Sequence, residues 1–236
     1  MTTNTAKIWA IVPAAGQGQR FYEAKPKQFF ELNGQLIAEH SLSRLLAVSQ
    51  IEKIIVPCDT ECHWWSKVVS IDHAKIKQVS GGEQRVHSVL NGLLSISSLA
   101  LDDDWILVHD IARPCIAIED INQLITAVEG HSVGGILVAR VDETLKKVAS
   151  DNHISATLER ADHRLAQTPQ IFRYGLLKDA INACLDKNII PTDEAFAIES
   201  AGHRVLCVEG RRDNLKITRR EDLPIASAII KSQETK

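Results

Sequence analysis

The sequence predicts an α/β fold: a doubly wound, mostly parallel sheet with crossover helices and one inserted β-hairpin. Three observations carry this expectation. Short apolar runs, each the length of one buried strand, alternate with stretches whose apolar residues recur at helical spacing. The first run, Ile8-Trp-Ala-Ile-Val-Pro13, feeds directly into a small-residue loop bearing Gly16 and Gly18. From Val141 to Thr168 the alternation stops, and two short period-two runs flank the turn-like Ser-Asp-Asn-His.

The elements follow in order. A strand over 9–13 leads into the glycine loop, and a helix over 37–48 precedes a β-branched strand over 53–57. A helix over 62–70 is expected to bury Trp64 or Trp65, followed by a strand over 76–79. Val86, Val89, Leu90, Leu93 and Leu94 lie on one face of a helix over 86–96. A strand over 105–109, a helix over 118–129 and a strand over 135–139 come next. The hairpin pairs 144–148 with 154–158 and forms an arm at about 141–165. An exposed hairpin is marginal alone, so it packs either on a second copy of the chain or back on its own domain. Helices over 174–186 and 193–200 follow, the second opened by Thr192 with acids in its first turn. A strand over 205–208 and a helix over 221–231 complete the series.

The 236 residues are expected to form one domain over 1–236, with 44% hydrophobic and 24% charged residues, as in globular proteins. A net charge of −3 argues against general nucleic-acid affinity. No apolar run approaches the length of a bilayer span, and the first strand begins within a few residues of Met1. No membrane anchor or leader is therefore expected, and the cytoplasm is the default location. Five scattered cysteines fit reduced thiols. Cys58, Cys62 and His63 are the only ligand-like cluster, and they lack a second pair for a structural zinc site.

The loop after the first strand carries the chemistry. Backbone N–H groups around Pro13, Ala14, Ala15, Gly16 and Gly18, with Arg20 closing the loop and Lys27 beyond it, describe a receptor for a polyphosphate. A dinucleotide fingerprint is excluded because its third glycine position holds Phe21. A Walker loop is excluded because Lys27 follows Pro26 and lies well past the glycines. The remaining pattern, P-A-A-G-x-G-x-R with a downstream P-K-Q, resembles the signature of nucleotidyltransferases that make diphosphonucleotides of sugars and polyols.

Further groups lie at other strand ends. Asp110 follows an apolar strand, where a carboxylate can help hold Mg²⁺ against substrate phosphates, and Arg113 can fork a phosphate; the pair could instead be a structural ion pair. Gly81-Gly82 before a helix can read a base edge through backbone groups, with Ser88 adding a hydroxyl; a plain turn is the alternative. Lys216 is the best cation for a second phosphate, whereas Arg211, Arg212, Arg219 and Arg220 read as solvated surface.

Taken in order, PAAGQGQR, PKQF, EHS, GGEQRVHSV, LVHDIARP, GGIL, TPQ, TDEA and EGRRDNLKIT resemble the 2-C-methyl-D-erythritol 4-phosphate cytidylyltransferase family of the non-mevalonate isoprenoid route. The resemblance spans residue 8 to about 223. It implies a Rossmann-like domain, a hairpin arm exchanged in a homodimer, CTP and Mg²⁺. By the same resemblance, Arg20, Lys27 and Lys216 are catalytic, binding the triphosphate and the reacting phosphates. Pro13, Ala14, Ala15, Gly16, Gly18, Gly82 and Ser88 hold the nucleotide, and Asp110 serves metal and substrate. Arg113, Thr168 and Thr192 join the acceptor site, with Thr144 and Arg160 supplied by the neighbouring subunit. Ile111 and His87 depart from residues common in the family. A ribitol 5-phosphate cytidylyltransferase shares the loop and metal residues, differing at acceptor residues such as Thr144, Arg160 and Thr168. A CTP-binding regulatory module without turnover is the alternative from another class, disfavoured by intact Lys27 and Asp110.

Overall fold

The computed structural model describes residues 6–16 and 25–235. Its organising strand is β1 (Ile8–Ile11), buried along its whole length between two parallel neighbours, β4 (Ile51–Cys58) and β6 (Trp105–Val108). Side chains alternate across a strand, so Ile8, Ala10 and Val12 enter one apolar cluster, while Trp9 and Ile11 enter a second on the other face. Helices α1 (Ile37–Leu46) and α3 (Ile118–Val128) cover the first face through Leu42, Leu45, Ile121 and Leu124. Helices α2 (Arg85–Leu94), α4 (Tyr174–Asp186) and α5 (Glu194–Ser200) cover the second through Val89, Leu93, Leu177, Ile181 and Ile198. The sheet is thus doubly wound, as expected.

Strand β5 (Ile76–Ser80) extends the sheet beyond β4, giving the order β11-β7-β10-β6-β1-β4-β5. Here β7 is Gly134–Arg140, β10 is Arg164–Arg173 and β11 is Leu206–Glu209. All neighbouring pairs are parallel except those of β10, which runs antiparallel to both β6 and β7. Strand β10 is absent from the sequence reading. Its apolar run is interrupted by polar residues around Pro169, which lacks an N–H for the ladder, and the pairing with β7 shifts register between Ala166 and Gln170.

Two further differences have local causes. The segment expected as a helix over 62–70 forms two 3-10 turns, His63–Lys67 and Val69–Asp72, because Val68 between them is extended at φ −91°, ψ 104°. The turn still buries Trp65. A small hairpin, β2 (Glu31–Leu32) and β3 (Gln35–Leu36), also precedes α1. Asn33 and Gly34 both take positive φ, as a tight hairpin turn requires. The C-terminal helix α6 (Asp222–Glu234) packs Ala226 and Ile230 against Leu32, Ile37 and Ile217.

The inserted hairpin is present as β8 (Leu145–Val148) and β9 (Ile154–Leu158), paired antiparallel in a sheet of their own between β7 and β10. Val148 and Ile154 on it are 54% and 64% exposed, so the hairpin leaves apolar surface uncovered within one chain. Among the described residues no helix is long and apolar enough to cross a membrane.

Candidate active site

Strand order reverses at β1, with β4 and β5 on one side and β6 on the other. Open α/β sheets bind ligands at such a switch point, beyond the carboxyl ends of the strands. A cleft of about 610 Å³, solvent at its mouth included, lies there. Its walls come from the segments after β1, β5 and β6, from the turn at Lys27, and from Lys216.

The floor is the segment after β1. Val12 and Ala14 continue the parallel ladder by donating N–H to the carbonyls of Ile55 and Pro57, both at 2.8 Å. The cleft is lined by Pro13, Ala14, Ala15 and Gly16. Gly18 and Arg20 lie outside the described residues. The chain returns at a 3-10 turn, Lys27–Phe29, anchored by fully buried Phe29 edge-on to Trp65 at 5.0 Å. Buried Gln28 donates Nε2–H to the Ala14 carbonyl at 3.0 Å, which fixes the turn against the loop. Lys27 is thereby placed on the cleft wall, its Nζ donating to the Ile217 carbonyl at 2.9 Å.

The second wall is the Gly81-Gly82 turn. A Cβ on Gly81 would come within 2.3 Å of the Ala15 Cβ, and one on Gly82 within 2.3 Å of the His87 Cβ. Only glycine fits this interlock of two loops. Ser88, expected to offer its hydroxyl to a base, is 2% exposed. Its Oγ accepts the Gly82 N–H at 3.0 Å and donates to the Gln84 carbonyl at 3.3 Å, so it shapes the turn from within.

Asp110 occupies the third wall, just past β6. Its Oδ1 accepts Arg85 Nε at 2.9 Å and its Oδ2 accepts Lys216 Nζ at 2.7 Å. Burial raises the pKa of this carboxyl, but Arg85 first, then Lys216 and Arg113, override it and hold Asp110 well below the usual carboxylate range. Arg85 in turn grips Glu194 with both Nη atoms, at 2.6 and 2.9 Å. Burial disfavours the charge on Arg85, yet Glu194 and Asp110 more than restore it and raise its pKa.

The Asp110 backbone is set by a second network. Its N–H donates to Thr168 Oγ1 at 3.0 Å, and Thr168 Oγ1 lies 3.2 Å from His109 Nδ1. His109 Nε2 faces the Arg113 carbonyl at 3.2 Å, an atom that can only accept. Nε2 therefore carries the proton and the Thr168 hydroxyl donates to Nδ1. Burial keeps this imidazole neutral, its pKa pushed down to about 4. Thr168 thus supports Asp110 from below and is 4% exposed.

The remaining expected residues are distributed differently. Arg113 lies behind Asp110, donating to the Asn214 carbonyl at 2.7 Å, with its Nε 3.8 Å from Asp110 Oδ2. That places it as a support for Asp110 and Asn214 rather than as the phosphate fork read from the sequence. Thr192 is exposed just before Asp193, which caps α5 by accepting the Phe196 N–H. Thr144 and Arg160 sit at the base of the hairpin arm, both exposed, with Arg160 donating to the Asp142 carbonyl. Arg212 pairs with Asp142 and Glu143 at the same base.

A resident metal does not fit this donor set. Both Asp110 oxygens face cations, and the described residues contain no group of three or more His, Cys, Asp or Glu placed to hold a metal ion. The Cys58 thiol, at the end of β4, accepts from Gln78 Nε2 at 3.3 Å.

Sequence reasoning missed Arg85 and Glu194. Both fall inside the quoted segments GGEQRVHSV and TDEA, but their pairing spans 109 positions and has no local signal.

A phosphate-type loop at the switch point of a doubly wound sheet, faced by lysines from two distant segments, defines a nucleotidyltransferase. The comparisons agree. The family profile of 2-C-methyl-D-erythritol 4-phosphate cytidylyltransferase matches residues 8–232, and the chain belongs to that family. The curated relative from Tolumonas auensis carrying that name is 46% identical over 225 residues, covering 95% of this chain and 97% of the relative. The one from Hahella chejuensis is 41% identical, covering 95% and 93%. The Francisella tularensis enzyme of the same name superposes with a TM-score of 0.82 at 37% identity, covering 95% of this chain and all of that one. A 4-diphosphocytidyl-2C-methyl-D-erythritol synthase from Anaerococcus prevotii gives 0.83 at 25% identity, with 97% of each chain covered. The chain is therefore an enzyme, a cytidylyltransferase.

Proposed function

We propose that this enzyme transfers CMP from CTP to 2-C-methyl-D-erythritol 4-phosphate, giving 4-diphosphocytidyl-2-C-methyl-D-erythritol and pyrophosphate. The observation that carries the chemistry is the convergence of Lys27, Lys216 and the loop 13–16 on one cleft. The relatives of 40–46% identity carry the substrate in their names.

The acceptor phosphate oxygen attacks the α-phosphorus of CTP, the α–β phosphoanhydride bond breaks, and pyrophosphate leaves with the bonding pair. An ionised phosphate is already nucleophilic and needs no general base. The barrier lies in bringing two anions together and stabilising the charge that grows at phosphorus, so positioning and electrostatics carry the catalysis. Lys27 and Lys216 supply cations to the same cleft, with Arg20 joining from the loop. Asp110 holds Lys216 in place. Mg²⁺ brought in with CTP would offset charge on the triphosphate beside Lys27 and Lys216. The Gly81-Gly82 turn reads the cytosine through its backbone.

In this reading the hairpin arm exchanges between two subunits, and Thr144 and Arg160 complete the partner's acceptor site. The exposed Val148 and Ile154 support it, because a second copy would cover them. Both substrates are soluble phosphates, which puts the work in the cytoplasm. Pyrophosphate release with CTP, Mg²⁺ and each polyol phosphate tests the reading. Release with methylerythritol phosphate is expected. Release only with ribitol 5-phosphate, or CTP binding without release, would overturn it.

A further inference from the structure

We infer that Glu194 and Arg85 are positioning residues that keep Lys216 on Asp110 and so present its ammonium to the cleft, an inference whose kinetic readout rests on the reaction proposed above. Arg85 has a planar fork of donors. Nη1 and Nη2 are both taken by Glu194, so only Nε meets Asp110, at a single oxygen. The second Asp110 oxygen is left for Lys216 Nζ. Four charges thus alternate from contact to contact, Glu194, Arg85, Asp110 and Lys216, with Arg113 farther off at 3.8 Å from the oxygen that Lys216 holds.

Glu194 is itself fixed. It is 2% exposed at the start of α5, where Gln170 of β10 clamps its two neighbours in the chain. Gln170 Nε2 donates to Asp193 Oδ2 at 2.9 Å, and Gln170 Oε1 accepts the Ala195 N–H at 2.9 Å. The antiparallel strand therefore sets α5, α5 sets Arg85, and Arg85 sets how much of Asp110 remains for Lys216. An arginine beside a carboxylate favours two parallel hydrogen bonds. Freed from Glu194, Arg85 would turn its fork onto Asp110, take the second oxygen and release Lys216 from the wall.

Glu194→Gln keeps the side-chain shape and removes the charge. We expect its kcat to fall on the order of tenfold, with KM for CTP changed less than about threefold, since charge at the reacting phosphorus is affected more than nucleotide affinity. Lys216→Ala will lose more. Because Glu194 acts through Lys216, adding Glu194→Gln to Lys216→Ala should cost less than about twofold more. A merely structural role would multiply the two losses and overturn the inference.

Glu194→Asp, whose shorter carboxylate cannot hold both Arg85 Nη atoms, carries the same cycle if Glu194→Gln does not fold. A crystal structure of the folded variant reads the contact independently of turnover. Separation of Lys216 from Asp110 is expected, and an unchanged contact would refute the inference even if the unmodified enzyme used a different acceptor. Inactivity of the unmodified enzyme with methylerythritol phosphate would count against the proposed reaction alone.

Discussion

Lys27 donates its Nζ–H to the carbonyl of Ile217 at 2.9 Å across 190 positions of sequence. The contact ties the turn after the phosphate loop to the segment carrying Lys216, so two of the expected catalytic cations are held on one frame. Both belong to residues lining the same cleft.

Lys27→Ala should lower turnover far more than CTP affinity. Loss of one such contact to developing charge costs on the order of 3 kcal/mol, a hundredfold or more in rate. Phe29 and Gln28 still anchor the turn, so the thermal midpoint should hardly move. Steady-state kinetics with pyrophosphate detection, beside a melting curve, check both halves. Near-normal kcat in the folded variant would remove Lys27 from the chemistry.

Gly82→Ala should raise KM for CTP, and a β-branched residue should do worse. The added Cβ would sit 2.3 Å from the His87 Cβ and 2.9 Å from the His87 carbonyl carbon, so the turn must shift. Ser88→Ala should act in the same direction, because it removes the acceptor of the Gly82 N–H. Isothermal titration of CTP into each variant measures the effect. Unchanged CTP binding in Gly82→Ala would show that this turn does not hold the base.

His109 makes stability depend on pH. Its pKa lies at about 4 in the folded chain, below the ordinary 6.5, chiefly because it is buried. Between those values the unfolded chain binds a proton that the native state does not, so stability is full above about pH 6.5 and falls as pH drops towards 4. The loss over that window should be on the order of 3 kcal/mol. Urea unfolding at pH 7.5 and pH 5 should show it, and His109→Gln should flatten this component of the slope. An equally steep slope in the variant would assign the dependence elsewhere.

The arm lends itself to subunit mixing. Lys27→Ala and Arg160→Ala should each be nearly inactive alone. In the proposed homodimer, a mixed dimer carries one site with both lesions and one with neither. Random exchange makes half the dimers mixed, so about a quarter of the unmodified activity should return. If Arg160 serves its own chain, every site carries a lesion and mixing restores nothing. A tag on one subunit confirms exchange.

Several parts of this fold were legible because they depend on short-range pattern. The buried strands follow from β-branched apolar runs, the α2 face from Val86, Val89 and Leu93, and the hairpin arm from alternation around a polar turn. The Asn33-Gly34 hairpin carries a local signal too, the dipeptide itself, whose two residues both take positive φ. Strand β10 was hidden because Pro169 interrupts it.

The sequence by itself determined the doubly wound alternation and the chemical parts of the site: the glycine loop, Lys27, Asp110 and Lys216. Those follow from side-chain period and from residue types gathered at strand ends. Tertiary structure alone decided what each charge faces. Asp110, Arg85, Glu194 and Lys216 come from four separate segments and meet only because β5, β1 and β6 end on the same edge of the sheet and β10 brings α5 beside them. Coulomb attraction depends on distance in space, and strand order sets that distance without leaving a periodic trace in the chain.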